Sequence, residues 1–69
     1  MKTIGAIIKE KRLQLGLSQR EMAKRLGIVN AMLCHWEQGH CVPNLYNICD
    51  LADFFGCTID ELCGRTSKR

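Results

Sequence analysis

The segment Leu17-Ser18-Gln19-Arg20-Glu21-Met22-Ala23-Lys24-Arg25-Leu26-Gly27 constrains this chain more than any other, because it carries both ends of one helix and the exit toward the next. Ser18 is placed to accept from a backbone N–H of the first helical turn, and Glu21 is placed to return a bond to the Ser18 amide. Leu17 and Met22 stand at the two positions of a hydrophobic staple, which sets the angle of entry. Met22, Ala23 and Leu26 then form the inner stripe. Gly27, lacking a Cβ, can take the left-handed conformation of a tight helix exit. Two residues later a second helix is expected over residues 30 to 38, ended by Gly39. Leu33 and Trp36 face inward on it, leaving Asn30, Ala31, Cys34, His35 and Gln38 on the outward stripe.

The flanking segments follow the same logic. Ile4, Ile7, Ile8 and Leu15 recur at helical spacing and predict a first helix over residues 3 to 15, stopped at Gly16. Arg12 falls on that apolar stripe and needs a counter-charge, since an unpaired buried ion is strongly destabilising. Glu37, one turn after Leu33, is the natural partner; the alternative is that both side chains reach solvent along their apolar stems. After the loop 39 to 43, Asn44 caps a fourth helix carrying Leu45, Ile48, Leu51, Ala52 and Phe55, closed by Gly56. Thr58 and Glu61 repeat the capping box and start a short fifth helix with Ile59 and Leu62. The expected fold class is all-α, with five helices.

A chain of 69 residues holds one domain with a core near the lower limit of what folds unaided. That domain is expected over residues 1–64, followed by a basic flexible tail over 65–69. The net charge of +3 conceals an asymmetry: seven basic residues stand against Glu10 and Glu21 up to Arg25, whereas residues 26 to 64 hold five acidic residues and no Lys or Arg. The basic half favours a polyanion, and Arg65, Lys68 and Arg69 would extend its field; the alternative is a solvated surface with clustered charge. No apolar run reaches the ~18 residues of a membrane span, and no signal segment opens the chain, so a soluble, cytoplasmic protein with no membrane partner is expected.

The five cysteines are odd in number and form no CxxC pair, so reduced thiols are expected, with Cys49 and Cys63 as core filler. Cys34, His35, His40 and Cys41 invite a metal reading, but neighbours on a helix point about 100° apart and the spacing matches no usual zinc pattern. No metal and no cofactor are expected. The same geometry argues against a Cys-His nucleophile, and nothing supplies an orienting group or oxyanion site, so the chain is not expected to be an enzyme. Redox sensing through Cys34 or Cys41 lacks a neighbouring cation in sequence to favour the thiolate.

Gly-Leu-Ser-Gln at 16 to 19, the Ala23 and Gly27 pair, Trp-Glu-x-Gly at 36 to 39 with Pro43, and Leu51-Ala52 with Asp60-Glu61-Leu62 resemble, in order and spacing, the lambda-repressor-like (Cro and repressor, or Xre) helix-turn-helix family. The resemblance covers residues 4 to 64. It implies a five-helix DNA-binding domain with the helix-turn-helix at helices 2 and 3, acting as a transcriptional regulator, and it implies an Arg12–Glu37 structural ion pair. In such proteins the second helix of the motif lies in the major groove and the preceding one crosses it, its start meeting the phosphate backbone.

By that resemblance Gln19 matches a phosphate-contacting position that also braces the first reading residue, and Asn30 matches that reading position. Asn is a competent partner for adenine, Ala31 can touch a thymine methyl group, and His35 can reach a base edge or phosphate; Cys34 completes the base-facing set. Arg20, Lys24, His40 and Asn44 join Gln19 as candidate phosphate contacts. For Asn30 the alternative is that it only caps its helix in place of Val29. Departures from the family pattern are Val29, where many members have Ser or Thr, and an outward stripe without Arg or Lys. Specificity is then expected either to be modest or to rely on methyl contacts and DNA shape rather than on many base hydrogen bonds.

The expected partners are double-stranded DNA and a second copy of the chain. Nothing after Gly64 is long enough for a separate dimerisation domain, so the homodimer is expected to use Phe54, Phe55, Cys57 and Ile59, although helical spacing from Leu51 and Ala52 also places at least one Phe in the core. The rival reading is an antitoxin or protein-interaction module that keeps the fold and binds a protein partner through the third helix.

Overall fold

Thr3 opens the first helix: its hydroxyl accepts from the Ala6 amide at 3.2 Å. In the computed structural model, which describes residues 3–64, α1 runs from there over Ile4–Gln14. The capping box of α2 (Gln19–Leu26) is formed in both directions, Glu21 N donating to Ser18 Oγ at 3.1 Å and Ser18 N to Glu21 Oε1 at 2.9 Å. Gly27 follows at φ 74°, ψ 30°, a conformation that strains any residue with a Cβ. It lets the Ile28 amide return to the Ala23 carbonyl at 3.0 Å. Three residues, 27–29, separate α2 from α3 (Asn30–Gln38). Asn44 caps α4 (Leu45–Phe55) by accepting from Asn47 N at 2.9 Å, and Thr58 with Glu61 forms a second reciprocal box on α5 (Ile59–Leu62).

Each helix sends one wholly buried side chain to a common core: Ile8, Met22, Leu33, Leu51 and Leu62. Full burial of such a side chain stabilises by roughly 1.5–3 kcal/mol relative to exposure. Ile7, Ala23, Trp36 and Ala52 complete the cluster. α3 packs on α1 and α2, while α5 closes against α4 and α1. The approach of α1 to α3 depends on Gly5, where a Cβ would collide with the Trp36 carbonyl oxygen and stand 3.1 Å from that of Glu37.

Helical spacing overstates the core at several positions. Leu15 is 53% exposed, because α1 stops at Gln14 and Leu15 becomes its C-cap, while Arg12 and the half-buried Leu17 take the inner places. Leu45 is 66% exposed and Cys49 is exposed as well. They lie four residues apart, with Asp53 four further on, on the solvent face of α4; the buried row runs through Ile48, Leu51, Ala52 and Phe55. Leu26 and Cys63 are half-buried and Ile59 is exposed. The expected basic tail, with Arg65, Lys68 and Arg69, lies outside the described residues. Among the described residues no helix is long and apolar enough to cross a membrane.

Candidate nucleic-acid interface

α3 turns Leu33 and Trp36 into the core and presents Asn30, Ala31, His35 and Gln38 to solvent, with Cys34 half-buried between them. Val29 is the N-cap, in extended geometry and without a side-chain cap bond. Asn30 is therefore the first helical residue and does not replace Val29 as the cap, which corrects the capping alternative. Its amide remains exposed at the start of the helix.

Beside it an open groove is lined by Arg20, Glu21, Ala23, Lys24, Ile28 and Asn30. The exposed Arg20 and Lys24 bring positive charge to the α2 side of this groove and Asn30 brings a donor and acceptor to the other. Glu21, also on the groove, has its carboxylate engaged at the helix start but keeps its negative charge. The bond from the Ser18 amide, then that from the Ser18 hydroxyl, holds its carboxyl below the usual carboxylate range. Beyond α3, His40 and Asn44 are both exposed. Asn44 uses its carbonyl oxygen as the α4 cap, which leaves its NH2 group pointing away from that duty.

Behind this surface lies a polar cluster. Arg12, 7% exposed, donates from Nε to Glu37 Oε2 at 2.7 Å, from Nη2 to Glu37 Oε1 at 3.1 Å, and from Nη1 to the Leu17 carbonyl at 2.8 Å. Gln19 Nε2 adds a bond to Glu37 Oε1 at 3.0 Å. The cluster ties α1, the turn before α2, the first residue of α2 and the last turn of α3 into one unit, and no buried side-chain N or O among the described residues lacks a partner. Sequence reasoning reached Arg12 and Glu37 but not the Gln19 and Leu17 bonds. A signal existed: a buried carboxylate has about four acceptor sites, more than one guanidinium fills.

The proposed dimer set is mostly packed. Phe54 and Phe55 are half-buried against the core and meet edge to face with centroids 5.4 Å apart, and Cys57 packs with them. Burial pushes the Cys57 thiol up, outweighing the opposite pull of Lys11. Only Ile59 of the four is exposed. The most exposed apolar side chains were not singled out in sequence: Val42 in the loop and Tyr46, 81% exposed, on the first turn of α4. The Cys34, His35, His40 and Cys41 group brings the two imidazoles together, centroids 5.6 Å apart, while both thiols are free. Among the described residues no three His, Cys, Asp or Glu side chains converge as metal ligands.

A helix-turn-helix family model matches residues 8–62. The chain is 38% identical over 48 residues to the cryptic phage CTXphi transcriptional repressor RstR of Vibrio cholerae; those residues are 70% of this chain and 43% of that protein, so the chain spans less than half of its curated relative. Among solved structures, the P22 c2 repressor in complex with synthetic operator 9T superposes with a TM-score of 0.83 at 27% identity, covering 90% of this chain and 94% of the repressor chain. A transcriptional regulator from Listeria innocua gives 0.85 at 21% identity over 97% of this chain and 63% of its own, a likeness of fold. With the family model covering most of the chain and all five helices in place, the protein belongs to the lambda-repressor-like helix-turn-helix family.

Proposed function

We propose that the protein is a sequence-specific DNA-binding transcriptional repressor of the phage or mobile-element type, reading the major groove with α3. The observation that carries this is the exposed polar end of α3, with Asn30 at its first position, standing across a groove from Arg20 and Lys24 on α2. That is the disposition a helix-turn-helix needs, with base-reading groups at the start of one helix and phosphate contacts on the other. The likeness to a phage repressor and to a repressor bound to operator DNA supports the same reading.

In this reading Asn30, Ala31, Cys34 and His35 face base edges, and Gln19, Arg20, Lys24, His40 and Asn44 face phosphates. The Arg12–Glu37 pair ties α1 to α3 and takes no part in chemistry; the protein acts in the cytoplasm as a binding module rather than an enzyme. The DNA-binding domain takes in the described residues 3–64. A homodimer reads two half-sites about one helical turn, ~34 Å, apart. Ile59 is the exposed member of its candidate contact, the two Phe residues shaping that surface from below.

A second reading has a specific observation behind it: α3 and its N-cap expose Val29 and Met32 and carry no Lys or Arg. That surface suits an antitoxin or interaction module with a protein partner. Selection of duplexes from a random library at ~150 mM salt separates the two, because phosphate attraction alone is much weakened there. Enrichment of a two-fold symmetric motif supports the repressor; recovery of unenriched DNA, or none, favours the interaction module.

A further inference from the structure

Four helices end in the same hydrogen-bonded pattern. The residue after the closing glycine donates to a carbonyl five residues back: Leu17 N to Arg12 O at 3.2 Å, Ile28 N to Ala23 O at 3.0 Å, His40 N to His35 O at 2.9 Å, and Cys57 N to Ala52 O at 3.0 Å. This Schellman arrangement brings those two side chains together, and the contact is commonly apolar. It is so at the ends of α2 and α4, where Ile28 meets Ala23 and Cys57 meets Ala52. At the end of α3 the same slot holds two imidazoles, His35 and His40, both exposed, with centroids 5.6 Å apart and planes tilted by 42°. The backbone therefore fixes two titratable rings side by side on the surface assigned to DNA.

Their setting makes protonation consequential. Residues 26 to 64 contain no Lys or Arg, so protonated histidine is the only source of side-chain positive charge on α3 and the loop after it. The one carboxylate on α3, Glu37, is turned onto Arg12 and Gln19. The elements packed on α3 bring Lys9, Glu10, Lys11 and Arg12 on α1, Arg20, Glu21, Lys24 and Arg25 on α2, and Asp50 on α4, which lines a cleft with Trp36; of these Arg12 is engaged with Glu37. The C-terminal end of α3 favours a cation through its dipole, whereas two adjacent imidazolium ions repel each other until an anion joins them.

We propose that His35 and His40 form a proton-charged phosphate contact, so that duplex binding takes up protons on this pair and DNA affinity is set by pH. The proposal rests on the DNA-binding reading above. A phosphate oxygen gains charge-assisted hydrogen bonds only from the protonated rings, and imidazoles change charge between about pH 5 and 8. Because the complex binds more protons than its separated parts, affinity is highest on the acid side of that range and declines as pH rises through it. Each linked proton changes the binding constant by up to about tenfold per pH unit.

The test is fluorescence anisotropy with a selected duplex, or a generic 20-base-pair duplex if none is enriched, between pH 5.5 and 8.5 at constant salt, with circular dichroism reporting fold at each pH. Wild-type affinity is expected to fall by about tenfold or more across the range. H40Q should lose part of that slope and H35Q/H40Q most of it, whatever each variant does to affinity at a single pH. H40Q keeps the candidate base contact of His35, so it separates proton linkage from base reading. Clear binding with a flat pH profile, or a slope unchanged in the folded double variant, overturns the proposal while the DNA-binding reading stands. No binding at any pH overturns both.

Discussion

Gln19 and Glu37 are joined across the start of α2 and the end of α3, Gln19 Nε2 donating at 3.0 Å to the carboxylate oxygen that Arg12 Nη2 also reaches at 3.1 Å. The bond makes the candidate phosphate-facing end of α2 part of the core ion pair. Glu37→Ala strands Arg12 without its counter-ion and is expected to cost roughly 3–5 kcal/mol, a large part of the stability of so small a domain. Gln19→Ala leaves the ion pair intact and should cost about 1.5 kcal/mol. Thermal melts should order as wild type, then Gln19→Ala, then Glu37→Ala; a Glu37→Ala melt matching wild type would show that the pair contributes nothing net.

Gly5 is the tightest point between α1 and α3. In an isolated helix Gly→Ala stabilises by about 1 kcal/mol. Here the added methyl group meets the Trp36 and Glu37 carbonyls, which are backbone and cannot swing away. Gly5→Ala is therefore expected to destabilise, by roughly 1–3 kcal/mol after the helices shift apart. Urea unfolding gives the sign directly, and a raised midpoint would contradict the packing described for α1.

Val29 holds the N-cap of α3 in extended geometry, φ −80° and ψ 147°, with no side-chain bond to the first turn. Val29→Ser fits that backbone and supplies the missing acceptor. A gain of about 1 kcal/mol is expected. For a domain of this size that raises the melting temperature by ~4–8 °C. Scanning calorimetry showing no rise would mean that the exposed amides of this turn are already satisfied by water.

Acid should loosen the start of α2 through Glu21. Its folded-state carboxyl is held low by the bonds from Ser18, so the stabilisation is present above the unfolded value, about 4.3, and is lost as pH falls through the folded value. Replacing Glu21 by Gln should remove this part of the acid limb. Midpoints compared at pH 7 and pH 3 should differ less in Glu21→Gln than in wild type; an equal loss would assign the acid sensitivity elsewhere.

Asn30 and Arg20 sit on opposite sides of the groove and should fail in different ways. Asn30→Ala is expected to cost ~1–3 kcal/mol on the preferred operator and to relax preference at one base position. Arg20→Gln should weaken every duplex alike and lower the salt slope by about one. Binding isotherms on matched and mismatched duplexes at several salt concentrations distinguish the two patterns. An Asn30→Ala protein that keeps its full base preference would remove Asn30 from the reading set.

The sequence by itself determined the helices and their ends. Capping boxes at Ser18 and Thr58, the Asn44 cap and the turn at Gly27 act within about four residues, so their chemistry is complete in the local chain. It also carried the charged position on the α1 stripe, because a lone Arg among Ile residues demands a partner. Which apolar residues are buried was decided only by the tertiary structure. Leu15, Leu45 and Cys49 satisfy helical spacing but find no helix opposite them, whereas Gly5 shows no periodic signal and sets the closest approach of α1 to α3. The Gln19–Glu37 bond belongs to the same class, since it needs two helices at a fixed distance, and that distance exists only once they have packed; the meeting of His35 with His40 follows from the local turn at Gly39 instead.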